Sequence, residues 1–144
     1  MLSNTCKYAI RAVIYLALNA EGEKKIGIKK ISEDLTIPTP FLGKILQILA
    51  KNKILTSTKG PHGGFGIGRK PDNIKLMDIV TIIDGMDHFE MCGIGLHTCS
   101  EQGVHCAIHS KYSPLRDQIK TLFENQTISG LVDDIREGKQ KINL

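Results

Sequence analysis

The sequence predicts a mainly α-helical protein with a small β-wing: a winged helix-turn-helix domain plus a long C-terminal dimerisation helix. Three observations predict this class. Apolar residues recur at helical spacing through most of the first fifty residues, and a Gly-rich turn between two short β-prone runs follows them. Positive charge is concentrated in the first half of the chain. At 144 residues, the chain has room for one domain with a helical extension.

The uneven distribution of charge indicates the class of partner. Residues 1–72 hold twelve Lys or Arg and five Asp or Glu, whereas residues 73–144 hold seven and ten. A basic half of this kind suits a large anion, and nucleic acid is the usual one. No Ser/His/Asp set, phosphate loop or pair of carboxylates indicates an enzyme. Because the apolar run 12–18 is too short to span a membrane and no signal peptide is evident, we expect a cytoplasmic protein with no membrane partner.

The first half of the chain contains the signals of a helix-turn-helix. A helix is expected from Cys6 to about Asn19, and a short amphipathic helix over 28–35. After a break at 36–38, Thr39 can cap a second helix with Pro40 at its first position, ending near residue 51. The second helix of such a pair enters the major groove of DNA. Its expected buried residues are Phe41, Leu42, Ile45, Leu46 and Leu49.

A hairpin after these helices completes the winged pattern. Runs 54–57 and 65–67 are plausible strands, and the Gly-rich run 58–64 forms the turn between them. An ordinary β-hairpin without a DNA role is the alternative. The hairpin follows a helix-turn-helix directly, and this position favours a wing that contacts DNA. Glycines let backbone approach a phosphate, and Lys59 and His62 supply donors. The candidate DNA-binding residues are Thr39, Pro40, Lys44, Gln47, Lys59, Gly60, His62 and Gly63.

Three of the four cysteines lie in a loop with neither helical nor strand periodicity. Six residues separate Cys92 from Cys99 and Cys99 from Cys106, and His109 follows three positions later. Such thiolate and imidazole donors suit a soft metal or an iron–sulfur cluster. A zinc site of Cys₃His type is the main rival, although structural zinc usually has cysteines in closely spaced pairs. Cysteines that serve only as small buried hydrophobes are the remaining alternative.

The second half carries the elements expected to join two chains. A helix over 76–84 should end at Gly85. Beyond the cysteine loop, Ser113-Pro114 is expected to open a helix from about Leu115 to Asn125, and the polar residues 133–144 are expected to fray. The resulting division is 1–85 for the DNA-binding domain, 86–110 for the cysteine loop and 111–144 for the dimerisation helix and tail. The expected dimer-interface residues are Leu115, Ile119, Leu122 and Phe123, which form one stripe.

Taken together, the runs Tyr8–Ala12, Ile28–Leu49 and Lys59–Phe65 closely resemble the Rrf-type winged-helix transcriptional regulators. The resemblance covers nearly the whole chain, and the loop cysteines place it with the iron–sulfur branch that includes IscR and NsrR. It implies a homodimer that binds a pseudo-palindromic operator in double-stranded DNA, acts as a repressor and senses nitric oxide, redox state or iron–sulfur status. An iron–sulfur protein without a DNA role is the alternative from another class.

The same resemblance implies a ligand set of Cys92, Cys99, Cys106 and His109, because IscR-like members have a His three residues after the third Cys. The spacing here departs from that of the best-known members, which tend to have five residues between at least one pair. Some nitric-oxide sensors take an acidic ligand from the partner subunit, but Lys7 stands at that position. Cys6, water or a partner group remain alternatives to His109. A [2Fe–2S] cluster is favoured over [4Fe–4S], with zinc as the alternative metal.

Overall fold

The computed structural model describes residues 1–20, 22–98 and 105–139. Within these ranges the chain forms six α-helices and one two-stranded sheet, and no helix there is long and apolar enough to cross a membrane. Two single-turn 3₁₀ helices lie at Pro71–Asn73 and Asp87–Phe89. In chain order the main elements are α1 (Asn4–Asn19), α2 (Ile28–Leu35), α3 (Thr39–Lys51), β1 (Leu55–Thr58), β2 (Gly64–Ile67), α4 (Leu76–Ile83), α5 (His109–Asn125) and α6 (Ile128–Arg136).

Ser3 caps helix α1 and joins it to the end of α4. Its hydroxyl oxygen accepts a hydrogen bond from the backbone N–H of Cys6 at 3.0 Å, which satisfies one of the free donors of the first turn. The Ser3 hydroxyl donates to one carboxylate oxygen of Asp84, and the Ser3 backbone N–H donates to the other at 2.8 Å. Helix α1 then supplies fully buried core residues, among them Ala12, Val13 and Leu16.

The predicted helix-turn-helix is confirmed, with two local differences. Thr36, in the left-handed conformation at φ 54°, ends α2 at the predicted break. The first difference is that α3 starts at Thr39 instead of one residue later. Four of the five residues expected inside α3 are buried, but Phe41 is 38% exposed. Phe41 lies in the first turn of α3 and packs its ring edge-on against Tyr8, at 5.8 Å between centroids, instead of entering the core.

The predicted wing is also confirmed. Strands β1 and β2 pair antiparallel, with Leu55 opposite Ile67 and Thr58 opposite Gly64. Ile26 adds a third partner, because it exchanges two backbone hydrogen bonds with Phe65, at 2.9 and 2.8 Å. The wing is therefore anchored to the segment that leads into α2, so the hairpin and the helix-turn-helix form one packed unit.

Helix α6 returns to the N-terminal core. Backbone hydrogen bonds join the α6 start to the segment before α4: Leu76 N–H donates to Gln126 O at 3.0 Å, and Ile128 N–H donates to Ile74 O at 2.8 Å. Ile128 and Val132 are buried in the same cluster as the residues of α1. The expectation that the chain frays from residue 133 is therefore wrong as far as Arg136, where α6 ends.

Helix α5 begins at His109, six residues before the predicted start at Leu115. Pro114 therefore lies inside the helix, where the missing N–H removes one intrahelical bond. Pro114 suggested a helix start because proline favours the first turn. The turn before it is nevertheless helical, with Tyr112 N–H donating to Ile108 O at 2.8 Å, and it packs against the cysteine loop.

A substitution at Gly64 tests the packing of the wing. Gly64 has φ +149°, and a β-carbon there would lie 2.4 Å from the carbonyl oxygen of Ile26. Gly64→Ala should lower the free energy of unfolding by about 2 kcal/mol, because both the backbone conformation and the Ile26 contact oppose a side chain.

Gly27→Ser is the control in a denaturant titration. Gly27 has open space around it and φ −65° at the α2 N-cap, where serine is at least as favourable as glycine, so we expect a change within about 0.5 kcal/mol. Equal stability losses in the two variants would contradict this account of the wing.

Candidate functional site

The outer face of α3 presents the polar residues that the sequence indicated. Pro40, Lys44 and Gln47 are exposed. Thr39 is half-buried, and its hydroxyl donates to the hydroxyl oxygen of Ser32 at 2.8 Å, so the side chain ties α3 to α2. Lys44 and Gln47 are therefore exposed polar side chains on this face of α3, and their ammonium and amide groups are of the kinds that pair with base edges.

The wing tip presents Lys59, Gly60 and His62 to solvent. Gly60 has φ +105° with open space around its α-carbon, so its conformation requires glycine. Gly63 has a different reason to be glycine: a β-carbon there would lie 2.2 Å from the carbonyl oxygen of Thr58. Of the two predicted DNA-binding glycines, the second is therefore needed by the hairpin itself.

A groove of about 370 Å³ lies between the wing and the start of α2. Gly27, Ile28 and Lys29 line one side, and wing residues 58, 60, 61 and 63–65 line the other. Ile28 also contacts the α3 backbone, since a β-carbon on Gly43 would lie 3.1 Å from its terminal methyl group. The exposed Lys29 was missed in the sequence, although the Lys-rich run 24–30 was the signal for it.

The cysteine loop is described at its two ends. Cys92 N–H donates to His97 O at 3.1 Å, and a bridge between Met91 and Thr98 closes this first part. Cys92 and Cys106 are both half-buried. Cys99, the third predicted ligand, lies outside the described residues, and within the described ranges no group of three His, Cys, Asp or Glu residues is placed to hold a metal.

The second end of the loop runs directly into α5. His109 is the first residue of that helix, and its N–H donates to Cys106 O at 2.9 Å. The imidazole of His105 stacks on that of His109, with centroids 3.8 Å apart and planes 17° apart. Nδ1 of His109 is buried and finds no hydrogen-bond acceptor or donor among the described residues. A ring nitrogen without a partner is available to a metal.

The two ends of the loop meet on α5. A β-carbon on Gly93 would lie 3.1 Å from both the Ile108 side chain and the Tyr112 ring, so the chain next to Cys92 packs on the first turn of the helix. Thiols at both ends, together with the partnerless ring nitrogen of His109, are donors that fit a soft metal or an iron–sulfur cluster. Cys92, Cys99, Cys106 and His109 are the residues that would hold one.

Cys6, the rival fourth ligand, lies elsewhere. It is fully buried in a small cluster with Met77, Val80 and Phe89. Burial raises the pKa of the Cys6 thiol to about 12, and the nearby Asp84 carboxylate adds to the effect. Because a metal binds the thiolate, this position disfavours Cys6 as a ligand.

No residue of helix α5 is fully buried. Leu115 and Leu122 are each 58% exposed and Ile119 is 37% exposed, so three of the four predicted interface residues are open to solvent. The fourth, Phe123, packs on Phe89 of its own chain at 6.0 Å between centroids. The exposed apolar stripe of α5 is thus 115, 119 and 122, and Phe123 attaches the helix to the domain.

Comparison with known proteins identifies the family. A family model named Rrf2 and described as an iron-dependent transcriptional regulator matches residues 2–134. The chain belongs to the Rrf2 family. It is similar to a protein of Aquifex aeolicus (strain VF5) classed as an HTH-type transcriptional regulator, with 36% identity over 92% of each chain. It is also similar to the regulator IscR of Escherichia coli (strain K12 / DH10B), with 27% identity over 92% of this chain and 80% of that one.

Solved structures agree on the Rrf2 fold. The global cysteine regulator CymR of Bacillus subtilis superposes with a TM-score of 0.76 at 21% identity, covering 92% of this chain and 96% of the other. IscR of T. potens gives the same TM-score of 0.76 at 22% identity, covering 99% and 93%. The winged-helix architecture predicted from the sequence is therefore that of the Rrf2 regulators, and the relatives are transcriptional regulators.

The burial of Cys6 predicts unequal thiol reactivity. In intact metal-free protein at about pH 8, we expect iodoacetamide to alkylate Cys6 at least ~100-fold more slowly than Cys106, because its thiolate is scarce and inaccessible. Since the folded-state pKa is raised to about 12, the Cys6 rate should continue to rise by about tenfold per pH unit above pH 8, with no plateau near pH 9 where an unperturbed thiol levels off. Peptide mass spectrometry over a time course measures both rates, and equal rates at pH 8 would contradict the assignment.

Proposed function

We propose that this Rrf2 protein is a homodimeric DNA-binding repressor whose affinity for a pseudo-palindromic operator depends on an iron–sulfur cluster. The observation that carries the proposal is the position of the cysteine loop. Cys106 and His109 lie at the start of α5, and the chain next to Cys92 packs on the same turn. That helix exposes an apolar stripe, so ligand binding and dimer contacts share one element.

DNA binding is supported by charge and shape on the opposite half of the chain. Lys44 and Gln47 project from α3, and Lys59 and His62 stand at the tip of the wing. The groove lined by Lys29 lies between the wing and the start of α2, and its residue Ile28 contacts the α3 backbone, so a phosphate strand passing from α3 to the wing would run beside it. Lys or Gln on α3 can discriminate base edges, and the lysines outside it contribute contacts that do not depend on sequence.

Dimer formation is supported by the exposed stripe on α5. Leu115, Ile119 and Leu122 recur at spacings of four and three, so they share one face of the helix. Burying that face against the same face of a second copy gives a two-fold symmetric pair. Such a pair would place two α3 helices about one DNA turn, ~34 Å, apart on a palindromic site.

Control by the cluster would act on this dimer. A bound cluster supplies a centre that reacts with oxidants and nitric oxide. The chain's own contribution is to hold Cys92 and Cys106 against the first turn of α5, so that a change in the loop alters the orientation of the helix. Three observations support an iron–sulfur cluster: the Rrf2 family is described as iron-dependent, the chain is similar to IscR, and the loop offers thiol and imidazole donors.

Anaerobic purification tests the cluster. We expect visible absorbance with matching iron and sulfide contents, and we expect Cys106→Ala to lose both the absorbance and the difference in DNA affinity between loaded and metal-free protein. Cys6→Ala is the matched control and should keep both. If the purified protein contains zinc and no sulfide, the loop binds zinc and not an iron–sulfur cluster. Equal DNA affinity of loaded and metal-free wild type would contradict control by the cluster.

The salt dependence of binding tests the DNA face. The probe is a duplex selected by wild-type protein from a random-sequence library. Lys59→Ala and Lys29→Ala should each weaken binding and reduce the slope of log affinity against log salt by ~1.8 per dimer, because each removes one phosphate contact from each of the two subunits at ~0.9 per contact.

Lys139→Ala is the control, because Lys139 follows α6 and is paired with Glu137. It should leave the slope unchanged. Unchanged slopes in Lys29→Ala and Lys59→Ala would exclude the groove and the wing tip from the DNA interface.

A further inference from the structure

Two adjacent faces of α5 carry different groups. His109, Tyr112 and Arg116 recur at spacings of three and four, so they share one face. His109 and Tyr112 both contact the cysteine loop or its immediate neighbours. The exposed stripe of Leu115, Ile119 and Leu122 lies on the neighbouring face, roughly a quarter turn away at 100° per residue.

Arg116 reaches from the first face to the beginning of the loop. Its side chain is only 12% exposed. Nη1 donates to the carbonyl oxygen of Met91 at 3.2 Å and lies 3.5 Å from that of Glu90, and Nη2 donates to the Ser113 hydroxyl at 3.4 Å. The Met91 carbonyl belongs to the peptide bond that Met91 forms with Cys92. Arg116 therefore holds the peptide group that leads directly into the first predicted ligand.

One N–H group of the guanidinium makes no hydrogen bond within the described part of the chain, so the group can exchange acceptors if the Met91 peptide moves. Among the residues that the structure describes, Nε of Arg116 is buried and finds no hydrogen-bond acceptor, and Oδ1 of Asp117 lies 3.6 Å away. A planar fork of five donors can exchange acceptors while it stays charged, which a lysine ammonium on a longer stem does less well. The contact is therefore polar, directional and incompletely satisfied, unlike the apolar contacts beside it.

Two apolar contacts keep α5 in place without Arg116. Phe123 packs on Phe89, and Tyr112 packs on Gly93. Loss of the guanidinium should therefore leave the helix attached to the domain. Arg116 is then not needed to attach α5, and its hydrogen bond to Met91 links any movement of that peptide group to a movement of the helix.

We propose that Arg116 is the positioning residue that couples the cysteine loop to the apolar stripe of α5. A displacement of Cys92 moves the Met91 carbonyl, the guanidinium moves with it, and the stripe on the next face moves as part of the same rigid helix. The proposal rests on the proposed function only in identifying that stripe as the surface that joins two copies. The coupling itself is a property of this chain's own residues.

The test perturbs the loop without a metal. Metal-free protein is compared before and after iodoacetamide alkylation of the thiols of the cysteine loop, and amide hydrogen exchange of residues 113–125 is followed by mass spectrometry. In wild type we expect alkylation to accelerate exchange of this segment by ~threefold or more, because the loop and the helix move together. In Arg116→Met, which keeps the apolar stem and loses every donor, the acceleration should fall to less than half of the wild-type value, and only the part transmitted through the Gly93–Tyr112 contact and the Cys106 end of the loop should remain.

Two further variants separate coupling from general loss of stability. Arg116→Lys should respond less than wild type, because one ammonium cannot reproduce the fork. Arg136→Lys, the same exchange at an exposed arginine of α6, should respond as wild type does. A structural role alone would raise exchange in α1 and α4 of Arg116→Met equally before and after alkylation, whereas coupling changes only the response to alkylation.

The outcomes distinguish this proposal from the proposed function. An equal response to alkylation in Arg116→Met and wild type, or no response in wild type, would overturn the role of Arg116 and leave cluster-dependent DNA binding standing. If loaded and metal-free wild type bind the selected duplex equally while the alkylation response still requires Arg116, the coupling stands and control by the cluster fails. Sedimentation velocity of the same samples measures the dissociation constant of the dimer. We expect it to increase on alkylation in the samples in which hydrogen exchange of residues 113–125 accelerates.

Discussion

The carboxylate of Asp84 is the point on which the arrangement of head, loop and N-terminus depends. Its side chain is 6% exposed, so it must be compensated by hydrogen bonds. Ser3 provides two, from its N–H and its hydroxyl, while His88 Nε2 lies 3.5 Å from one carboxylate oxygen. Ser3 caps α1, Asp84 ends α4 and His88 stands in the 3₁₀ turn that leads to the loop. These contacts tie the start of α1, the end of α4 and the 3₁₀ turn together, so they set where the cysteine loop leaves the winged-helix domain.

From that point, attachment to α5 follows two routes of different character. Phe89, in the same 3₁₀ turn, packs on Phe123 near the helix end, which is an apolar contact that tolerates small rotations. Near the helix start, Arg116 and the His109–His105 stack hold polar groups of the loop. A helix held by an apolar contact at one end and by directional polar contacts nearer the other can rotate about the apolar contact. Such a rotation would change the orientation of the stripe 115, 119 and 122.

The sequence predicted the winged-helix head well because local signals and packing agree there. Helical spacing located α1 to α3, and the glycines between β-prone runs located the wing, since both patterns arise from contacts close in sequence. The errors fall where distant contacts decide. Helix α5 starts before Pro114 because loop residues support its first turn, and α6 is ordered because Ile128 and Val132 reach the core of α1. The stacking of His105 on His109 has no periodic signal in the sequence either.

Charge separation along the chain constrains how a signal from the loop could reach DNA. Residues 1–72 carry the excess of lysines, and residues 73–144 carry more acidic than basic side chains. A polyanion repels the second half and attracts the first, so the loop and α5 are expected to face away from the phosphates. Direct contact of the loop with DNA is then disfavoured, and any influence on binding must pass through the protein. The available path runs through α5 to its stripe, where a second copy would convert a change of helix angle into a change of distance between two α3 helices.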